Sequence, residues 1–176
     1  MTFTNKLQNL VLEFHEKFNH PRSEKPTLVS LDRLTDRKGW GVVEEMVEQL
    51  HTVSNNQEEF EASIEKIKSY IDKAVVKQST KPFITDTNEK IVNLADGLAD
   101  ELYFLLGDCV ESGIDIEPVL TIVQDSNLSK LYTDENGNKY AEYDENNKVK
   151  KSPNFFPPED RIKEEIQRQI NNALTK

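Results

Sequence analysis

The chain has 176 residues, with 22 Lys and Arg against 32 Asp and Glu, a formal charge of −10 and one cysteine. That length suffices for a single domain, residues 1–176, with its own core. An acidic balance with no basic stripe excludes the usual duplex nucleic-acid binder and the anionic-membrane binder. A small anionic substrate stays open, because bound divalent ions reverse the local field. Cys109 has no partner for a disulfide, and its apolar helical setting predicts a core thiol. No basic-then-apolar signal segment opens the sequence and no apolar run is long enough for a bilayer, so a soluble cytoplasmic protein is expected.

Helical periodicity dominates the chain. Leu7, Leu10, Val11, Phe14 and Phe18 form one stripe of a first helix, about Thr4 to Phe18, which Pro21 stops. A loop with Pro21 and Pro26 follows. Val43, Met46, Val47 and Leu50 mark a second helix from Asp36 to Val53. Phe60, Ile64, Ile67, Ile71 and Val75 mark a third, Gln57 to Val76, which reads as a plain amphipathic packing helix. A polar loop leads to a fourth helix, Thr87 to Ser112, with Ile91, Leu94, Leu98, Leu102, Leu105 and Leu106 inside and Gly113 as its C-terminal cap. Asp115 is placed to cap a fifth helix with Pro118 in its first turn. From Leu131 to Lys151 the pattern changes. Asn136-Gly137 is a turn signal among Tyr132, Tyr140 and Tyr143, and the segment reads as a short hairpin or an ordered loop. Pro153, Pro157 and Pro158 lead into a polar helix from Glu159 to Ala173. No internal repeat is apparent. The fold class is all-α, an antiparallel helix bundle.

Two acidic clusters carry the chemistry. Glu44, Glu45 and Glu48 flank the apolar face of the second helix. Asp96 and Asp100 sit one turn apart in the apolar stretch of the fourth. On a chain this charged, a Glu run is commonly a solvated face. Asp in mid-helix among apolar neighbours is harder to explain that way, since it is a poor helix former and costly to bury unpaired. Two such faces brought together make an all-oxygen site suited to Mg²⁺ or Mn²⁺. Glu48-x-x-His51 also has the spacing of a di-iron ligand pair, but that chemistry needs the pair twice and it occurs once. No nucleophile elbow and no phosphate-cradling glycine loop is present, so any hydrolysis must be metal-assisted attack by water.

Glu44-Glu45-Met46-Val47-Glu48, the helix from Ala99 to Leu106 running to Gly113-Ile114-Asp115, and the tail Ser126-Asn127-Leu128-Ser129-Lys130-Leu131, then a turn, Lys148-Val149-Lys150-Lys151 and a proline segment, resemble the all-α nucleoside triphosphate pyrophosphohydrolases. This is the MazG-like group, and the tail is similar to its branch resembling phosphoribosyl-ATP pyrophosphohydrolase. The resemblance covers roughly residues 37 to 158. It departs at Gly97, where the group's E-x-x-D motif has Glu; Asp96 is placed to take over. The motifs are also separated by more than is usual, so the third helix reads as an insertion.

The resemblance implies cleavage between the α and β phosphates of an NTP or dNTP, with roles in pool sanitation or dUTP removal. It further implies Mg²⁺ held by Glu45, Glu48, Asp96 and Asp100, with Glu44 or a neighbouring carboxylate orienting the water. Asn127, Lys130 and Lys150 become candidate phosphate contacts. Trp40 becomes a candidate base-stacking group, or alternatively a core or dimer-contact residue. A homodimer or a dimer of dimers is implied as well. The alternatives are a phosphoribosyl-ATP-type activity and a non-catalytic helical scaffold whose acidic face is inert.

Overall fold

A computed structural model describes residues 2–174. The protein is all-α apart from one two-stranded sheet. It forms two compact units, one built from the chain up to Lys25 together with the chain from Leu98 onward, the other from Pro26–Gly97.

In the first unit, α1 (Lys6–Lys17) packs against α6 (Ile116–Leu128), and α6 against α7 (Glu159–Ala173). Asn5 starts α1 by accepting a hydrogen bond from the Gln8 amide, as an N-cap side chain does. Asn19, at φ 51°, ends it in the left-handed conformation and lets the His20 amide reach the His15 carbonyl. Phe18 is 1% exposed and stacks on Phe14 with ring centroids 4.3 Å apart. Lys6 pairs with Glu117 across α1 and α6, and Arg161 pairs with Asp125 at 2.9 Å across α6 and α7. Asp115 occupies the cap position of α6, yet its side chain makes no cap bond. Its backbone instead exchanges two hydrogen bonds with the Gln169 side chain.

The segment after α6 is a hairpin, and it is followed by a second. β1 (Tyr132–Thr133) pairs antiparallel with β2 (Lys139–Tyr140), and Tyr143 bridges Val149 just beyond. The sequence shows no repeat by helical pattern, but the two turns share the same backbone hydrogen bonds. The Asp134 carboxylate accepts from the amides of Asn136 and Asn138, and that of Asp144 from the amides of Asn146 and Lys148. Each turn also closes backbone to backbone, Asp134 with Asn138 and Asp144 with Lys148. The left-handed position falls to Gly137 in one turn and Asn147 in the other, residue types that tolerate it.

Residues 151–156 then strap back over the end of α6. The Ser152 hydroxyl donates to the Ser129 carbonyl, the Ser152 amide to the Lys130 carbonyl, and the Ser126 hydroxyl to the Phe156 carbonyl. The Tyr143 hydroxyl donates to the Phe18 carbonyl and ties the second hairpin to α1.

In the second unit, Ser30 caps α2 (Leu31–Asp36), and Asn56 caps α4 (Gln57–Ser79). The expected single helix from Asp36 is replaced by α2, a π-helical stretch over Arg37–Val43 and α3 (Glu44–Val53). The widened stretch holds Gly39 and Gly41, the residues least able to hold an α-helix tight. α3 packs on α4 as a helical hairpin, with His51 edge-on to Phe60 at 5.2 Å. The unit boundary falls within α5 (Thr87–Ser112), which ends at Gly113 with φ 68° as its spacing predicts.

Among the described residues the only buried hydrophobics are Phe18 and Leu131. The apolar stripe of α5, expected to be core, is largely exposed in the single chain; Leu98, Leu102, Leu105 and Leu106 all face solvent in part. Cys109 is half-buried rather than a core thiol.

Candidate active site

Glu44, Glu45 and Glu48 occupy the first turns of α3, directly after the π stretch. Non-α stretches of this kind are costly to keep and gather at functional positions. Asp96 and Asp100 lie one helical turn apart on α5. All five carboxylates are exposed, so Asp96 and Asp100 are not the buried groups that their apolar sequence neighbours suggest. Among the described residues none of the five side chains bonds to a donor or pairs with a cation, which leaves all their oxygens free. No group of three or more His, Cys, Asp or Glu within this chain is close enough to hold a metal ion, again among the described residues. The donor chemistry fits Mg²⁺ or Mn²⁺ all the same, because these ions take hard, exposed carboxylate oxygens together with water and substrate phosphate. A Cβ built on Gly97 meets nothing within 4 Å, so a longer side chain there has room.

Trp40 lies in the π stretch and is 78% exposed, so it is not a core residue of this chain. His51, spaced as a metal ligand would be after Glu48, rests on Phe60.

The polar and basic candidates beyond α6 are arranged differently from what the resemblance implies. Lys130, at the exit of α6, donates to the Asn127 side chain at 2.6 Å, so these two candidates do stand together. Lys150 does not join them, and its ammonium lies 3.7 Å from Glu142. The cations acting on Lys130 are instead Lys151 and Lys148, to which the resemblance assigns no phosphate contact. Burial, and then these two like charges, hold the Lys130 ammonium below the ordinary lysine range. Lys151 is carried on the strap, where its ammonium also sits 4.4 Å over the Phe155 ring.

A family profile described as phosphoribosyl-ATP pyrophosphohydrolase matches residues 11–127. Among solved structures, the chain is similar to the crystal structure of a putative NTP pyrophosphohydrolase from Exiguobacterium sp. 255-15. The identity is 35%, the match covers 96% of this chain and 98% of that one, and the TM-score is 0.89. No curated protein matches the chain.

Proposed function

This chain belongs to the phosphoribosyl-ATP pyrophosphohydrolase family and is a hydrolase of pyrophosphate bonds, and we propose that its substrate is an NTP or dNTP, cut to the monophosphate and pyrophosphate with Mg²⁺. The observation that carries this reading is the pair of exposed, unbonded carboxylate groups at the head of α3 and on α5. Likeness over nearly the full chain to a protein named for NTP favours a nucleoside triphosphate over phosphoribosyl-ATP.

Glu45, Glu48, Asp96 and Asp100 are the residues that would hold Mg²⁺. When bound, Mg²⁺ neutralises charge developing on the phosphate oxygens. Glu44 accepts a proton from the attacking water and orients it, as a carboxylate within hydrogen-bond reach does. Asn127 and Lys130, which stand together, contact the phosphate chain, and the open indole of Trp40 offers a face to the base.

The uncovered apolar stripe of α5 supports a second copy of the chain as its partner, because a protein of this length ordinarily buries far more than two large hydrophobics. A homodimer at least is the working assembly, and it is there that α5 becomes core.

The test is pyrophosphate release from a panel of NTPs and dNTPs in Mg²⁺, Mn²⁺ or EDTA, on a preparation whose mass is read by sedimentation. Release should need the metal, favour one base, and fall at least about a hundredfold in Asp100→Asn, the scale of losing one transition-state charge contact. Silence across the panel overturns the substrate class. Full activity in Asp100→Asn overturns the site, and a monomer at micromolar concentration overturns the assembly.

A further inference from the structure

Asn136-Gly137 is the one Asn-Gly step in the sequence, and it stands in the turn of the first hairpin. Both residues are exposed. Gly137 has φ 82°, and a Cβ built on it would meet nothing within 4 Å. Its amide nitrogen therefore carries the smallest steric shield that any residue offers toward the carboxamide before it.

Such a step is where a backbone nitrogen can attack its neighbour's side chain. The Gly137 nitrogen adds to Asn136 Cγ, so a C–N bond forms and the Cγ–Nδ2 bond breaks. The amide proton passes through water to the leaving nitrogen, and ammonia departs. Water then opens the five-membered imide. Addition at Cγ gives aspartate at position 136, and addition at the backbone carbonyl carbon gives isoaspartate there. One water is consumed, one ammonia is released, and nothing is oxidised or reduced.

The turn opposes this chemistry through its own bonds. The Gly137 amide donates to the Asp134 carbonyl at 3.0 Å, so the attacking nitrogen is committed to the turn. The Asp134 carboxylate accepts from the Asn136 amide at 2.9 Å and the Asn138 amide at 2.8 Å, and holds the chain on both sides of the reacting pair. It also accepts from the Asn138 side chain at 3.0 Å. Closing the imide ring needs the peptide between Asn136 and Gly137 to swing toward the side chain, which breaks the bond to the Asp134 carbonyl. Reaction therefore waits on local opening. The second turn supplies the comparison within one molecule. Asn146 is exposed at the matching place, and the Asn147 amide donates to the Asp144 carbonyl at 3.1 Å. There a full side chain stands beside the attacking nitrogen in place of a hydrogen.

We propose that Asn136 is a site of spontaneous deamidation whose rate is set by opening of the Asp134 turn. The inference is independent of the pyrophosphohydrolase reading. Each conversion adds a negative charge to a turn that already holds Asp134 and Glu135.

The full chain is aged at mildly alkaline pH, and tryptic peptides are mapped by mass spectrometry for the gain that marks an amide become an acid. Cleavage at lysines separates residues 131–139 from residues 140–148, and fragment spectra distinguish Asn136 from Asn138. Conversion is expected at Asn136, at least about fivefold faster in Asp134→Ala, which removes the amide-to-carboxylate bonds. Asp134→Asn keeps an oxygen acceptor for both amides and should stay within about twofold of the parent. Asn136→Ser should abolish the acidic species that accumulates on anion exchange. An intact Asn136 in the folded parent, over a period in which the urea-unfolded chain converts, overturns the site. Conversion of Asn146 in step with Asn136 overturns it as well. Equal acceleration in Asp134→Ala and Asp134→Asn would assign the effect to charge and overturn the turn as the brake.

Discussion

Ser152→Ala tests how the strap is held. Ser152 is 5% exposed, and its hydroxyl serves two partners. It donates to the Ser129 carbonyl at 2.8 Å and accepts from the Asn154 amide at 3.1 Å. Truncation removes both bonds without changing the backbone. Asn154 is exposed and its amide can turn to water, which limits that loss to about 0.5 kcal/mol. The Ser129 carbonyl is half-buried beneath the strap and is left without that partner, at about 1–1.5 kcal/mol. The sum is about 2 kcal/mol. With a urea slope of about 2 kcal/mol per molar, the midpoint should fall by about 1 M at fixed protein concentration. Circular dichroism along a urea series reads this directly. Ser79→Ala is the control: its exposed hydroxyl bonds only to carbonyls of its own helix, at 2.8 and 3.1 Å, and the midpoint should move by less than about 0.5 kcal/mol equivalent. A Ser152→Ala midpoint equal to that of the control would refute the idea that this hydroxyl fastens the strap to α6.

Two further outcomes follow from single side chains. Glu165 is held at about 2 by hydrogen bonds from Arg168 and then Gln169, well below its ordinary value of 4.5. Its contribution is therefore present above about pH 4.5 and lost as pH falls towards 2. The stability advantage of the parent over Glu165→Gln, measured by melting between pH 5 and 2.5, should shrink steadily, and a constant difference would contradict the assignment. Gly97→Ala places a methyl group in mid-α5 where nothing lies within 4 Å, and should stabilise the protein by about 0.5–1 kcal/mol. Destabilisation in a melting experiment would mean that a second chain approaches the helix closely at that point.

Much of the helical layout is legible in the sequence because its signals are local. The Gly113 stop and the Asn136-Gly137 turn each act through neighbouring residues alone. The π stretch is not legible in the same way. Val43, Met46, Val47 and Leu50 continue an ordinary helical period, and only Gly39 and Gly41 around Trp40 hint that the turns ahead of it are loosened. Periodicity also says that a face of α5 is apolar without saying what covers it, so the stripe reads as core although a single chain leaves it open. The carboxylates on α3 and α5 were found because they repeat at helical spacing. Lys151 has no such spacing to Lys130; the strap brings its backbone there, through a bond that runs from residue 130 to residue 152. The resemblance pointed to Lys150, which sits with Glu142.

The closure of residues 130 and 152 on each other has a consequence for how such a chain can vary over evolution. The base of the tandem hairpins is fixed by a backbone bond that does not depend on what lies between. The same Asp-Glu-Asn turn begins at Asp134 and again at Asp144, as duplication of a short unit would produce. Doubling the length of a closed segment costs only about 0.6 kcal/mol in closure entropy. Units can thus be gained or lost at this place with little effect on the helices.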